Sequence, residues 1–232
     1  NSRLSGKLSL HDVAMNKDRW SGLSYGLLRG VLNSDFEFST NMSSFDSALT
    51  QLSGKGTFNI VKPLVKGWDM NVIDLDLEGR TSGDGMKVML QENLNRGETA
   101  FDSLSGDFEL NGGNFVVNNA LFSSDNVAVE ATAKGNLGEW MGNASFLVSF
   151  KNDPSLEGLR FSLDGTINAP SLDVDVSKLN EVYVQREKKI AEEAKAVENA
   201  KVEKYRALMG LQQEFVEKSR INLYEKIMPE YR

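Results

Sequence analysis

Alternating apolar and polar residues recur through the first three quarters of the chain. Clear examples are residues 126–133, 144–150 and 161–167. Successive side chains of a strand point to opposite faces, so this alternation places one face on apolar groups and the other in water. We therefore predict a mainly β fold with a curved antiparallel sheet and short helices, followed by a long C-terminal amphipathic helix.

Turn residues divide these alternating stretches. Residues 107–110 and 115–117 alternate on either side of Asn111-Gly112-Gly113-Asn114, and such turn residues tolerate the positive φ of tight turns. This stretch predicts a β-hairpin. A second alternation begins at Gly56, and we expect it to stop at Pro63.

Two earlier segments have a different pattern. Residues 44–52 place their apolar side chains at helical spacing, and Ser44 is a suitable N-cap, so we predict a short helix there. Residues 68–94 fit a helix and a strand about equally.

A change of pattern near Asp175 predicts two domains, residues 1–175 and residues 176–232. From Ser177, a candidate N-cap, the spacing is helical. About fifty helical residues would span roughly 75 Å, and Gly210 could interrupt or kink such a helix. Its candidate partner-binding face comprises Val202, Leu208, Met209, Phe215, Val216, Leu223 and Ile227.

Composition narrows the classes of function. The formal net charge is −7, whereas phosphate binding requires clustered Lys and Arg, so we expect no nucleic-acid partner. The chain has no cysteine, which excludes disulfides and thiolate metal sites. It contains no apolar run of about eighteen residues, so we expect no membrane-spanning segment within it.

The order of several short motifs resembles the C-terminal region of the AsmA family. Residues 52–58 are similar to its L-x-G-x-G stretch, and residues 97–108 to its T-x-F-x-x-L-x-G segment. Residues 165–170 are similar to its closing G-T-x-x-x-P. The resemblance covers roughly residues 31–170, and the helix after Ser177 departs from the family pattern.

The resemblance implies a cell-envelope protein. Such a protein would have a periplasmic body anchored to the inner membrane by an upstream segment that this chain lacks. Its role would lie in outer-membrane lipid homeostasis, with an apolar β-groove that carries the acyl chains of phospholipid or another lipid. These properties are expectations from the resemblance alone.

The apolar strand faces are the candidate lipid-contacting surface. This set comprises Phe108, Leu110, Val127, Val129, Phe146, Val148, Phe161 and Leu163. The alternative is an ordinary β-core covered by helices, and alternation does not reveal whether the covered face meets protein or lipid.

Few residues point to catalysis or metal binding. His11 is the only histidine, and no G-x-S-x-G motif is present. Asp173 and Asp175 alternate with apolar residues, which is typical of the solvent face of a strand; calcium binding by this pair or by Asp74 and Asp76 is the alternative. Trp20, Trp68 and Trp140 are expected in a core or a groove wall, or else at a membrane interface.

Three functional hypotheses follow, and none requires a cofactor. The first is non-enzymatic lipid handling or transfer through the apolar β-groove. The second is a structural module whose C-terminal helix associates with an envelope protein or with a second copy of the chain. The third, a hydrolase that uses paired carboxylates, has the least support, because no convergent acid, base and nucleophile can be identified.

Overall fold

A computed structural model describes residues 2–15, 26–42, 44–153, 156 and 158–227. Its ten strands are β1 (Ser2–Met15), β2 (Gly26–Met42), β3 (Ser53–Lys66), β4 (Glu98–Ala100), β5 (Ser103–Asn111), β6 (Asn114–Ser123), β7 (Val127–Asn136), β8 (Met141–Phe150), β9 (Leu159–Thr166) and β10 (Ser171–Asp175). The four helices are α1 (Phe45–Thr50), α2 (Met70–Gly79), α3 (Met86–Asn93) and α4 (Ser177–Ile227). The mainly β prediction with a long C-terminal helix is confirmed.

The strands form one antiparallel sheet in the order β1-β2-β3-β5-β6-β7-β8-β9-β10, and β4 pairs with the end of β3. Within the described residues the sheet is curved and unclosed. Apart from β4, each strand therefore pairs with its neighbour in the sequence, although α1 lies between β2 and β3 and α2 and α3 lie between β3 and β4.

The predicted hairpin and the first predicted helix are both confirmed. Strands β5 and β6 pair up to Asn111 and Asn114, and Gly112 and Gly113 take φ values of 58° and 78° between them. Ser44 is the N-cap of α1, where its side chain accepts a hydrogen bond from the amide of Ser47.

The expected strand end at Pro63 is wrong, because β3 continues to Lys66. Lys62 has a φ of 50°, and its amide donates to Asp102 O at 2.9 Å. At this irregular point the neighbour of β3 changes from β5 to β4. Proline lacks an N–H, and the change of partner allows it to lie within the strand.

The ambiguous segment 68–94 contains α2 and α3. Met70, Ile73 and Leu77 are buried from α2, and Met86 and Leu90 from α3, at the spacing of one helical face. Asp69 caps α2 by accepting a hydrogen bond from the amide of Val72.

The core lies where these helices pack against the apolar side chains of the sheet. Trp68 is 3% exposed, and its ring contacts Phe122, Phe146 and Phe161 at centroid distances of 5.3, 4.9 and 5.2 Å. The buried hydroxyl of Thr99 donates to Trp68 O and accepts from the amide of Met70, which ties β4 to the start of α2.

The chain divides into two compact units, residues 1–183 and residues 184–232. The expected boundary after residue 175 marks the change from strand to helix, but the first two turns of α4 belong to the first unit. There Leu179 and Tyr183 are fully buried, and the hydroxyl of Tyr183 donates to Leu77 O.

The start of α4 also differs from the sequence prediction. Ser177 is the first helical residue, and Asp175 accepts hydrogen bonds from its amide and its hydroxyl. Gly210 lies inside the helix, which is assigned as a single element from Ser177 to Ile227. None of the described helices is both long enough and apolar enough to cross a membrane.

Candidate functional site

The strand register places all eight candidate lipid-contacting residues on one face of the sheet. One row of paired residues runs Gly56, Phe108, Val117, Ala133, Ala144, Leu163 and Leu172. A second row runs Ile60, Leu104, Phe122, Val129, Val148 and Leu159. Rows of paired residues across antiparallel strands share a face, so both rows belong to one apolar surface.

Five of the eight candidates are buried beneath the helices. Their exposed fractions are 9% or less, and they are Val127, Val129, Phe146, Val148 and Phe161. Trp68 packs against Phe146 and Phe161. In this structure these five side chains contact protein and are not accessible to a lipid. This is the arrangement expected for an ordinary β-core covered by helices.

The other three candidates, Phe108, Leu110 and Leu163, are only half-buried. They belong to a longer apolar stretch of the same face that we call the open strip. Its members are Leu4, Leu8, Phe36, Phe38, Phe58, Phe108, Leu110, Phe115, Val117, Ala133, Ala144, Leu163 and Leu172, all half-buried or exposed. Phe36, Phe38, Phe58 and Phe115 were not among the predicted site residues, although they alternate with polar residues in the sequence.

Four phenylalanine rings form a connected group across the open strip. Phe36 lies 5.6 Å from Phe38 and 5.3 Å from Phe108 between ring centroids, and Phe58 lies 6.5 Å from Phe108. These rings come from β2, β3 and β5. The strip therefore has an aromatic section that crosses three adjacent strands.

Glycines let these rings approach the backbone of the sheet. A Cβ added at Gly56 would lie 2.6 Å from Phe108 Cζ, and one at Gly106 would lie 2.8 Å from Phe58 Cζ. At Gly135 the same atom would lie 2.6 Å from Phe115 Cε1. The absence of a side chain at these positions leaves room for the rings close to the strands.

The opposite face of the sheet is more polar, although Val116 and Leu121 are exposed on it. It contains a hollow of about 700 Å³, whose charged lining residues are Glu130, Arg160, Asp173 and Asp175. Asp173 pairs with Lys87 at 3.3 Å, but both side chains are at least half exposed, so the pair contributes little to stability. Leu121 and Leu147 also line this hollow, but an acyl chain laid there would desolvate the charged groups at a cost. We therefore place the candidate lipid surface on the apolar face.

Two exposed carboxylates on this side have lowered pKa values. Hydrogen bonds from the hydroxyl and amide of Ser177 lower the pKa of Asp175, with smaller effects of Arg160 and Lys87. The hydroxyl of Ser9 lowers the pKa of Asp35 in the same way. Both shifts stabilise the charged form and provide no proton donor or acceptor near neutral pH.

The other candidate chemical residues remain apart. His11 is exposed on β1, and Asp74 and Asp76 lie on α2, where residues two apart do not face each other. Across the described part of the chain, no three His, Asp or Glu residues are grouped so as to hold a metal ion. Trp140 is 56% exposed, whereas Trp20 lies outside the described residues.

The predicted partner-binding face of α4 is exposed. The exposed fractions are 43% for Val202, 52% for Leu208, 60% for Met209, 74% for Phe215, 59% for Val216 and 62% for Leu223. The side chain of Ile227 lies outside those described. Tyr205, Leu211 and Tyr224 are also more than 60% exposed, so the apolar arc is wider than predicted.

Comparison with known proteins found no matching family model, no matching curated protein and no matching solved structure.

Proposed function

We propose that this chain handles lipid by holding acyl chains on the open strip, without making or breaking a covalent bond. The observation that carries the proposal is the connected group of half-buried phenylalanines over strand glycines. A contiguous apolar surface of this kind is unusual on a soluble protein unless it binds something.

The length of acyl chain that the strip covers sets the strength of binding. Each buried methylene contributes about 0.8 kcal/mol, so about fifteen of them contribute roughly 12 kcal/mol. Association costs at least about 4 kcal/mol in lost translational and rotational freedom. An acyl chain that is covered along its length therefore stays bound during re-isolation, whereas one covered over a few methylenes dissociates.

The resemblance of residues 31–170 to AsmA C-terminal regions supports the same function and extends it to a location. We propose a periplasmic, inner-membrane-anchored protein that contributes to outer-membrane homeostasis. Two glycines of the L-x-G-x-G stretch, Gly54 and Gly56, lie against the rings of Phe36 and Phe108. The motif that carries the resemblance is thus part of the proposed lipid surface. The proposal includes no enzymatic step and no cofactor.

Lipid extraction from vesicles tests this function. The protein would be incubated with vesicles of phosphatidylethanolamine and phosphatidylglycerol and re-isolated, and its bound lipid counted by native mass spectrometry. We expect Phe108→Ser to reduce bound lipid several-fold, because it removes the ring shared by both aromatic contacts. Val116→Ser is the matched control, since Val116 lies on the neighbouring strand with its side chain on the other face and is 40% exposed.

Melting curves of both variants separate lost binding from lost folding. Wild-type protein that carries no lipid, or a folded Phe108→Ser variant that binds as much lipid as Val116→Ser, would contradict the proposal.

A second candidate function is assembly through α4, with an envelope protein or a second copy as the partner. It is favoured by the exposed Leu208, Met209, Phe215, Val216 and Leu223, since an apolar helix face of this length is not stable bare in water. Light scattering of the full chain and of residues 1–183 would reveal self-association. A pull-down from envelope extract would then compare Phe215→Glu with the control Glu214→Gln. Capture that is the same for both variants would count against this helix face.

A further inference from the structure

A small cavity lies on the apolar face at the β9 side of the open strip. Its volume is about 150 Å³, and its walls include Phe115, Ala133, Ala144, Leu163, Ile167 and Pro170. Four of these residues are members of the open strip, so the cavity is continuous with it.

The cavity exists because its floor is built from small residues. Ala133 pairs with Ala144, and Gly142 pairs with Gly165 on the next strand. A Cβ added at Gly165 would meet no atom within 4 Å. The ring of Phe115 lies against Gly135 and so bounds the space on one side.

Backbone hydrogen bonds hold the far wall in place. The amide of Ile167 donates to Trp140 O at 2.9 Å, and the amide of Ala169 donates to Thr166 O at 3.1 Å. These bonds fix the turn between β9 and β10, which carries Ile167 and Pro170. The cavity is therefore formed before any ligand arrives.

The lining determines the chemistry of the occupant. It is almost entirely apolar and includes no charged side chain, so it suits an uncharged hydrocarbon and excludes a lipid headgroup. A pocket of about 150 Å³ has room for a group of the size of benzene. The methyl end of an acyl chain has this chemistry and size.

We propose that this cavity binds the methyl end of an acyl chain whose length lies along the open strip. The inference rests on the proposed lipid function and adds a direction to it: the chain end points toward β9, and the headgroup lies toward the middle of the strip or beyond.

Filling the cavity tests the proposal. The probe is hexadecanoate with a diazirine on its last carbons, and the variant is Ala144→Leu. We expect the affinity of Ala144→Leu for this probe to be roughly tenfold lower than that of the wild type. The leucine would displace about two methylenes of the acyl chain from the cavity. Photo-crosslinks in the wild type should fall on the walls of the cavity, from Phe115, Ala133 and Ala144 to the β9–β10 turn. Ser145→Leu is the matched control. Ser145 is exposed, and this substitution adds the same leucine side chain to the opposite face of the same strand.

Two further measurements keep the outcome clear. Ala133→Val replaces Ala144→Leu if the latter does not fold, and xenon NMR reports the cavity of the wild type without lipid. Equal hexadecanoate affinity for both filled variants and the control would overturn the chain-end site while leaving lipid binding intact. Crosslinks confined to residues outside the cavity walls would have the same consequence. A wild type that binds no hexadecanoate would overturn both proposals.

Discussion

Trp68 connects the helices to the sheet through three aromatic contacts. It is almost fully buried, and Phe122, Phe146 and Phe161 meet it at steep interplanar angles of 63°, 76° and 80°. Its Nε1 has no hydrogen-bond partner among the described residues, so its contribution comes from packing rather than from a polar bond.

We expect Trp68→Ala to lower the free energy of unfolding by about 3–5 kcal/mol, the usual cost of removing a large aromatic side chain from a core. Trp140→Ala should change it by about 0.5 kcal/mol or less, because Trp140 is 56% exposed. Urea denaturation measures both. Trp68→Phe should cost less than Trp68→Ala, since it keeps a ring and removes the unpaired donor. Equal effects at the two tryptophans would show that Trp68 does not organise the core.

A second residue-scale prediction concerns Asp35. Ser9→Ala should raise the pKa of Asp35 toward its ordinary value, because it removes the main hydrogen bond to the carboxylate. The lowered pKa stabilises the fold above the unfolded-state pKa, and this stabilisation is lost as pH falls through the folded-state value. Carbon NMR of the carboxyl group follows the titration, with Ser5→Ala on the same strand as the control. An unchanged pKa in Ser9→Ala would assign the shift to Lys7 and His11 instead.

At this scale the sequence identified the apolar face but not what covers it. Alternation assigns Val129 and Phe108 to the same face in the same way, and both are on it. Val129 is fully buried under helices whose type the sequence left open, whereas Phe108 is half-buried. Burial depends on the packing of α2 and α3, which local periodicity does not describe.

At the scale of elements, the same substitution should have opposite effects in a strand and in α4. Gly56→Ala places a Cβ 2.4 Å from Asp35 O and 2.6 Å from Phe108 Cζ, so we expect a loss of about 1–3 kcal/mol in unfolding free energy. Gly210→Ala meets no atom within 4 Å, and alanine favours a helix interior by up to about 1 kcal/mol. Urea unfolding measures the first effect, and circular dichroism of the melting helix measures the second. A stabilised Gly56→Ala protein would mean that the rings do not lie close over the strands.

The type or the end of other elements depends on contacts with residues distant in the chain, which local sequence patterns do not reveal. The segment 68–94 was ambiguous because its apolar residues fit two periods, and only burial against the sheet selects helices. Pro63 was expected to end β3, yet a change of neighbour from β5 to β4 accommodates it. The hairpin at Gly112-Gly113 and the helix capped by Ser44 were predictable, because their signals lie within a few residues.

At the scale of the whole molecule, the division into two compact units predicts how truncation changes the melting temperature. A chain ending at Tyr183 should keep the melting temperature of the sheet unit, whereas one ending at Val176 should melt lower. The shorter chain lacks Leu179 and Tyr183, both fully buried, and the loss of one such side chain costs on the order of 2–5 kcal/mol. Calorimetry of the two chains decides. Equal melting temperatures would place the boundary at the strand-to-helix change that the sequence suggested.

The unit boundary was not predictable from periodicity, because the helical pattern continues across it. Leu179 and Tyr183 have the same spacing as the exposed apolar residues of later turns. What distinguishes them is burial in the core of the first unit, where the hydroxyl of Tyr183 donates to Leu77 O, 106 positions earlier in the chain.

Pairing between sequence neighbours makes the sheet resemble a linear array, in which each strand is stabilised mainly by the strands beside it. The support is uneven: residues 3–15 of β1 include no buried side chain, whereas β7 buries Val127, Val129 and Ala131. Such an array frays from its weak end. Amide hydrogen exchange should therefore be fastest in β1, slower in β2 and slowest in β7 and β8, so that the first strands open and close while the rest of the sheet stays folded. Uniform protection across all strands would instead indicate one cooperative unit.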